Sequence, residues 1–240
     1  MPRSPRFRYL VYLFDADGPL INSVDAAFGT TNRVLESFDL EPLDIETWRQ
    51  RNKSPRNLYT SSGVPKDGLA EAVNRYQLFF NELKSTTTSP LEVETTLRAL
   101  SKRHVGIVTD MPRKDWEGYM LKFPSIGNHV QTVVTRDDCE ERKPSPVPVL
   151  DAMRKMGFAK RKITDHEVRG IMVGDTANDI IAGRNAGLDT AALVYPGSYN
   201  NMERLRASEP TYLIPVLHAV TNMSELKNYQ VNDSLFARKP

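Results

Sequence analysis

The chain has one cysteine, four histidines, two tryptophans and no long apolar run, and each scarcity excludes something. Cys139 has no second cysteine to pair with, so an intrachain disulfide is impossible and a reducing compartment, the cytoplasm, is expected. It is also a poor candidate nucleophile. It sits within Arg136-Asp-Asp-Cys-Glu-Glu141, where neighbouring carboxylates raise rather than lower a thiol pKa. His104, His129, His166 and His218 lack the paired spacing of metal ligands. No stretch approaches the ~20 apolar residues of a membrane span. The basic run Met1–Arg8 leads into an apolar segment too short for a signal peptide. Neither charge sign dominates: 32 basic and 30 acidic residues give a net +2, which leaves no electrostatic footprint for nucleic acid.

What is present is the composition of an ordinary globular protein, 40% hydrophobic and 26% charged over 240 residues. That length suits one large domain carrying an insertion. Tyr9–Phe14, Val105–Thr109 and Gly170–Val173 are apolar, β-branched runs of the kind that form buried parallel strands, each followed by a turn and a helical pattern. Val130–Thr135 and Thr190–Val194 are two further candidates. Strands alternating with helices predict an α/β fold, a Rossmann-like doubly wound parallel sheet, whose ligands bind beyond the carboxyl ends of the strands.

Roughly ninety residues separate the first two strands, far more than a crossover of about a dozen requires. An inserted domain is the economical explanation. Ala27, Val34, Leu35 and Phe38, then Ala72, Val73, Tyr76, Phe79 and Phe80, fall at helical spacing and predict a small helical bundle. Ser85-Thr-Thr-Thr-Ser-Pro90 reads as the return hinge. The expected boundaries are a core of residues 1–21 and 88–225, an insert of 22–87, and a tail of 226–240 that frays. Trp48 and Trp116 are expected to be packing anchors.

The chemistry-bearing residues gather at the predicted strand tips. The first strand ends in Phe14-Asp-Ala-Asp-Gly-Pro-Leu20, with Asp15 and Asp17 two residues apart, a poor arrangement unless a cation or ligand compensates them. The second ends in Thr109-Asp110. Arg142-Lys-Pro-Ser-Pro146 places Lys143 just before a helix opened by prolines. Val173-Gly-Asp-Thr-Ala-Asn-Asp179 again puts acids at a strand tip, Asp179 about one turn past Asp175. Taken singly, each fragment is as consistent with a capped turn or a solvated charge.

Together and in this order they resemble the haloacid dehalogenase superfamily, from about Tyr9 to Leu217. The four motifs are Asp15-x-Asp17-Gly18, Thr109, Lys143 and Gly174-Asp175-x-x-x-Asp179. Leu20-Ile-Asn-Ser23, Lys143-Pro-Ser-Pro-Val-Pro148 and Ala182-Gly-Arg-Asn-Ala-Gly187 are similar to the phosphoglycolate phosphatase-like branch. The resemblance implies a magnesium-dependent phosphatase of small phosphorylated metabolites. Asp15 would be the nucleophile and Asp17 the acid and base. Thr109, Asp110 and Lys143 would bind phosphate. Asp15, the Asp17 carbonyl and Asp175 would hold Mg2+, with Asp179 as a further ligand or as support behind them. A carboxylate at position 17 disfavours a dehalogenase or a phosphonate-cleaving enzyme. The insert resembles the family's helical cap, with Lys53 and Arg56 the candidates for reading the leaving group.

Two positions depart from the family. Pro19 follows Gly18 where Thr or Val is usual, removing an N–H and fixing φ. Asp110 stands where close relatives commonly carry Asn, adding negative charge beside the phosphate site that the resemblance implies. The alternatives are a phosphosugar mutase of the β-phosphoglucomutase kind, which shares these motifs, and a non-catalytic binding protein on the same fold. A monomer and a homodimer are both compatible with the sequence.

Overall fold

The computed structural model describes residues 9–51, 55–158, 169–194 and 202–230. The chain divides into two compact units, one of Met1–Leu20 with Ser89–Pro240, the other of Ile21–Thr88.

The larger unit is built on a six-stranded sheet: β1 Val11–Phe14, β2 His104–Val108, β3 Thr132–Val134, β4 Gly170–Gly174, β5 Asp189–Leu193 and β6 Tyr212–Ile214. Their spatial order is β3-β2-β1-β4-β5-β6. Every adjacent pair is parallel. The anticipated parallel α/β sheet is therefore what the chain forms, with helices following the strands, and β6 is a strand that the pattern of apolar runs did not disclose. Only three residues long and directly ahead of Pro215, it is too short for periodicity to register. The predicted Val130–Thr135 contracts to the three paired residues of β3, and the second strand starts one residue earlier than expected, at His104.

The core lies on the sheet faces. Val11 and Leu13 of β1 pack with Val108, Val134 and Met172 and with Val149, Ala152 and Met153 of the helix Val147–Lys155. All eight are fully buried. Burying side chains of this size stabilises the fold by about 1.5–3 kcal/mol each. On β5 and β6, Ala192 and Leu213 pack with Ile180 and Leu205. At the opposite edge from the strand tips Tyr9 donates to Asp189 at 2.6 Å and lies 3.0 Å from the Tyr212 hydroxyl, which satisfies buried polar ends that would otherwise cost stability.

Leu226, placed at the start of the expected tail, is fully buried on the helix Met223–Asn228, and Gln230 bridges to Tyr212. Up to Gln230 that segment is packed rather than frayed, because an apolar side chain at 226 has a core to enter.

The smaller unit contains the helices Val24–Glu36, Ile45–Arg51, Pro55–Ser61 and Leu69–Leu83. Val34, Leu35, Tyr59, Val64 and Ala72 form its core, ringed by Phe38, Tyr76 and Phe79. Where the chain enters and leaves, Asn22 and Thr88 pair as an antiparallel bridge. Trp48 is buried, with its indole N–H donating to the Thr31 hydroxyl at 3.0 Å, and Trp116 is buried in the larger unit. Among the described residues, no helix is long and apolar enough to cross a membrane.

Candidate active site

The strand order places the reversal of chain direction at β1: the chain runs outward through β2 and β3 on one side, then returns to build β4, β5 and β6 on the other. A doubly wound sheet opens its ligand crevice at that point. Phe14 is in register with Ile107 of β2 and Val173 of β4. The next residue on β1, Asp15, consequently has the ends of both neighbouring strands beside it, Thr109 on one side and Asp175 on the other. Its main-chain N–H donates to the Val173 carbonyl at 2.9 Å, which carries the ladder to the tip.

Lys143 is the hub. Its ammonium lies 2.9 Å from Asp15 Oδ1 and 2.6 Å from Asp179 Oδ1, and donates to the Val108 carbonyl at 3.0 Å. Lys143, Asp15, Asp175 and Asp179 are all buried. Burial lowers the Lys143 pKa, but the charges of Asp15 and Asp179 outweigh it and hold the group above the ordinary lysine value. Asp15 Oδ1 also accepts the Ala16 N–H at 2.8 Å. Among the described residues Asp15 Oδ2 accepts no hydrogen bond. Burial, followed by the charge of Asp179, pushes Asp15 well above the usual carboxylate range, against the pull of Lys143.

Asp175 and Asp179 differ sharply in how they are held. Thr176 caps the helix Ala177–Asn185 in a capping box. Asp179 Oδ2 accepts the Thr176 N–H at 2.9 Å and its hydroxyl at 2.6 Å, while Oδ1 takes Lys143. Both Asp179 oxygens are thus engaged by protein donors. Both oxygens of Asp175 are buried with no hydrogen-bond partner among the described residues. Burial, then the charges of Asp179 and Asp15, drive its pKa well upward.

Oxygens of Asp15, Asp175 and Asp179 all lie within 4.8 Å of one another. Ionised together, three carboxylates against one ammonium carry an excess of two negative charges, the amount a divalent cation cancels. The two orphaned oxygens of Asp175 are hard donors facing that excess, so the residues fit a hard divalent ion. Glycines make the approach of these groups possible. A Cβ on Gly18, whose φ is +94°, would stand 2.3 Å from Asp175 Oδ2, and one on Gly174 would stand 2.3 Å from the Asp179 Cβ.

The remaining candidates are distributed as follows. Asp17 is half-buried on the turn after Asp15. Pro19 is buried in the same turn. Thr109 is buried at the tip of β2, its N–H donating to the Val134 carbonyl at 2.9 Å and its hydroxyl accepting the Met111 N–H at 3.2 Å. Asp110 turns its carboxylate to the Lys143 main-chain N–H, at 3.4 Å. Burial pushes its pKa up, Lys143 draws it down and Asp179 raises it again. Arg56 is on the helix Pro55–Ser61 and Lys53 lies outside the described residues. Cys139 is partly buried, and burial followed by the charge of Asp151 raises its thiol pKa, in keeping with an unreactive sulfur. Thr176 was not singled out from the sequence, although Thr-x-x-Asp at the start of an apolar helix is a capping pattern.

The model of the haloacid dehalogenase-like hydrolases matches residues 12–193. A pyrophosphatase, PpaX, of Bacillus velezensis is 30% identical over 230 residues, covering 92% of this chain and 98% of its own. A phosphoglycolate phosphatase of Psychrobacter arcticus is 27% identical over 235 residues, covering 92% and 97%. Among solved structures, a predicted phosphoglycolate phosphatase from Haemophilus somnus superposes with a TM-score of 0.71 at 21% identity, over 88% of this chain and 96% of that one, which is a likeness of fold.

Proposed function

This chain belongs to the haloacid dehalogenase-like hydrolases, and from that membership we propose that it is a magnesium-dependent phosphatase of a small phosphorylated metabolite working through an aspartyl phosphate. The observation that carries the reading is the contrast between Asp175, whose two buried oxygens lack donors among the described residues, and the ammonium-bound pair Asp15 and Asp179 beside it. A buried carboxylate without a partner is costly, and a hard cation is the partner that relieves it. The relatives named as phosphatases support the substrate class.

In this proposal Mg2+ would be held by Asp15, the Asp17 carbonyl and Asp175. Asp179, with both oxygens occupied, supports the site by holding Lys143 and the Thr176 turn. When bound, the ion supplies positive charge against the substrate phosphate and the clustered carboxylates.

Asp15 attacks phosphorus with Oδ2, since its Oδ1 is held by Lys143 and the Ala16 N–H. As the Oδ2–P bond forms, the bond from phosphorus to the leaving oxygen breaks, and Asp17 passes its proton to that oxygen. The Lys143 ammonium, the Thr109 hydroxyl and the main-chain N–H of Asp110 grip the non-bridging oxygens. Asp17, now ionised, takes a proton from water as the water oxygen attacks phosphorus and the Oδ2–P bond breaks, releasing inorganic phosphate and regenerating the Asp15 carboxylate. Lys143 keeps Asp15 oriented through both steps by holding Oδ1.

The test is phosphate release from a panel that includes 2-phosphoglycolate, inorganic pyrophosphate and phosphosugars, with and without Mg2+, for the wild type and Asp15→Asn. Mg2+-dependent turnover that falls by about a thousandfold or more in the variant is expected. Turnover undiminished by Asp15→Asn would overturn the covalent mechanism. A phosphosugar converted only with a bisphosphate activator, and no phosphate released, would replace the phosphatase with the mutase.

A further inference from the structure

Asp110 places a negative charge one residue from Thr109, where a phosphate dianion is to be bound, and repulsion there needs an offsetting benefit. Its carboxylate is turned onto the segment that carries Lys143, with Oδ1 accepting the Lys143 main-chain N–H. At the other end of the same residue, the ammonium donates to the main-chain carbonyl of Val108. Lys143 is therefore tied at both ends to one strand tip, Val108 to Asp110. The tie matters because Lys143 lies between β3 and the helix Val147–Lys155, outside any strand or helix that would set its height above the sheet. A four-carbon stem reaches a given point reproducibly only when its root is held as well as its tip.

Resting on the phosphatase reading, we propose that Asp110 is a positioning residue for Lys143: its carboxylate anchors the lysine main chain so that the ammonium is delivered between Asp15 and Asp179. What the anchor requires is an acceptor oxygen at that reach, and not the charge itself. Asn at position 110 meets the requirement and Ala does not.

The experiment compares the wild type, Asp110→Ala and Asp110→Asn in two readouts. The first is kcat and KM for the best ester in the panel. The second, independent of turnover, is the rate at which acetic anhydride modifies Lys143 in the folded protein, followed by peptide mass spectrometry. Asp110→Ala should lower kcat several-fold, up to about tenfold, the scale of one lost hydrogen bond, with KM changed much less. Its Lys143 should be modified several times faster, because a loosened root exposes a buried amine. Asp110→Asn should recover most of the lost rate and most of the protection.

Wild-type kcat and protection in Asp110→Ala would overturn the proposal. So would an Asp110→Asn protein as impaired as Asp110→Ala, since charge rather than an acceptor would then be at work. If the wild type cleaves no ester, the phosphatase reading fails, while the modification rates still decide whether Asp110 holds Lys143. Should Asp110→Ala not fold, Asp110→Ser takes its place, its hydroxyl being too short to span the contact.

Discussion

Gly18 and Asp175 come from strand tips far apart in sequence and approach so closely that a single methyl group on Gly18 would stand 2.3 Å from the Asp175 carboxylate. The φ of +94° at Gly18 adds backbone strain for any other residue. Gly18→Ala should therefore displace Asp175, weaken Mg2+ binding by at least about tenfold and cost about 1–3 kcal/mol of stability. Calorimetric titration of Mg2+ together with urea unfolding checks both. An unchanged Mg2+ affinity would show that Asp175 does not bind the ion.

Asp175→Asn separates the fold from the site. The carboxylate it removes is buried and has no hydrogen-bond partner among the described residues, so the variant without metal should unfold at higher urea than the wild type. The stabilisation that Mg2+ adds to the wild type, which grows as RT ln(1 + [Mg2+]/Kd), should be absent. Thermal melts at increasing Mg2+, with EDTA as the zero point, give both numbers.

Lys143→Met removes the ammonium that faces two buried carboxylates. Breaking a buried pair in this way costs about 3–5 kcal/mol. Mg2+ should return part of that loss by cancelling charge in the same cluster, yet phosphatase turnover should stay low, since orientation of Asp15 is not restored. Urea unfolding with and without Mg2+, beside phosphate release, is the measurement.

Away from the site, Asp138 should govern part of the acid sensitivity. Burial would raise its carboxyl, but hydrogen bonds from the Thr135 hydroxyl and main-chain N–H, with Arg113, overcome that and draw it down to about 2. Its folded pKa lies below the ordinary ~3.9, so its contribution is full above about pH 4 and is lost as pH falls toward 2. In urea unfolding, Asp138→Asn should be less stable than the wild type at pH 7, and the gap should narrow below pH 4. A gap independent of pH would exclude ionisation as its source.

Much of this arrangement could be read before any coordinates. Asp15, Thr109 and Asp175 were legible because each terminates or follows an apolar run long enough to be a buried parallel strand, and such sheets keep their chemistry at those ends. Tyr212–Ile214 was not, because three residues carry no period. Asp179 was legible as an acid about one turn past Asp175. That its oxygens are consumed by Thr176 and Lys143 was not, since a hydrogen-bond partner depends on a side chain's direction. Asp110 illustrates the same limit: its charge beside Thr109 at the second strand tip was apparent, and its attachment to the Lys143 main chain was hidden.

By itself, then, the amino-acid order determined the chemical inventory: which acids, which hydroxyl and which cation stand at strand tips, and in what succession. Only the tertiary structure decided how they share one another. The strand order β3-β2-β1-β4 puts Asp15 between partners that are distant along the chain, and a lysine from a loop after β3 then meets acids from β1 and from the helix after β4. Local sequence encodes local backbone preference, whereas charge pairing in a buried cluster follows from distances that exist only once the strands have been laid side by side.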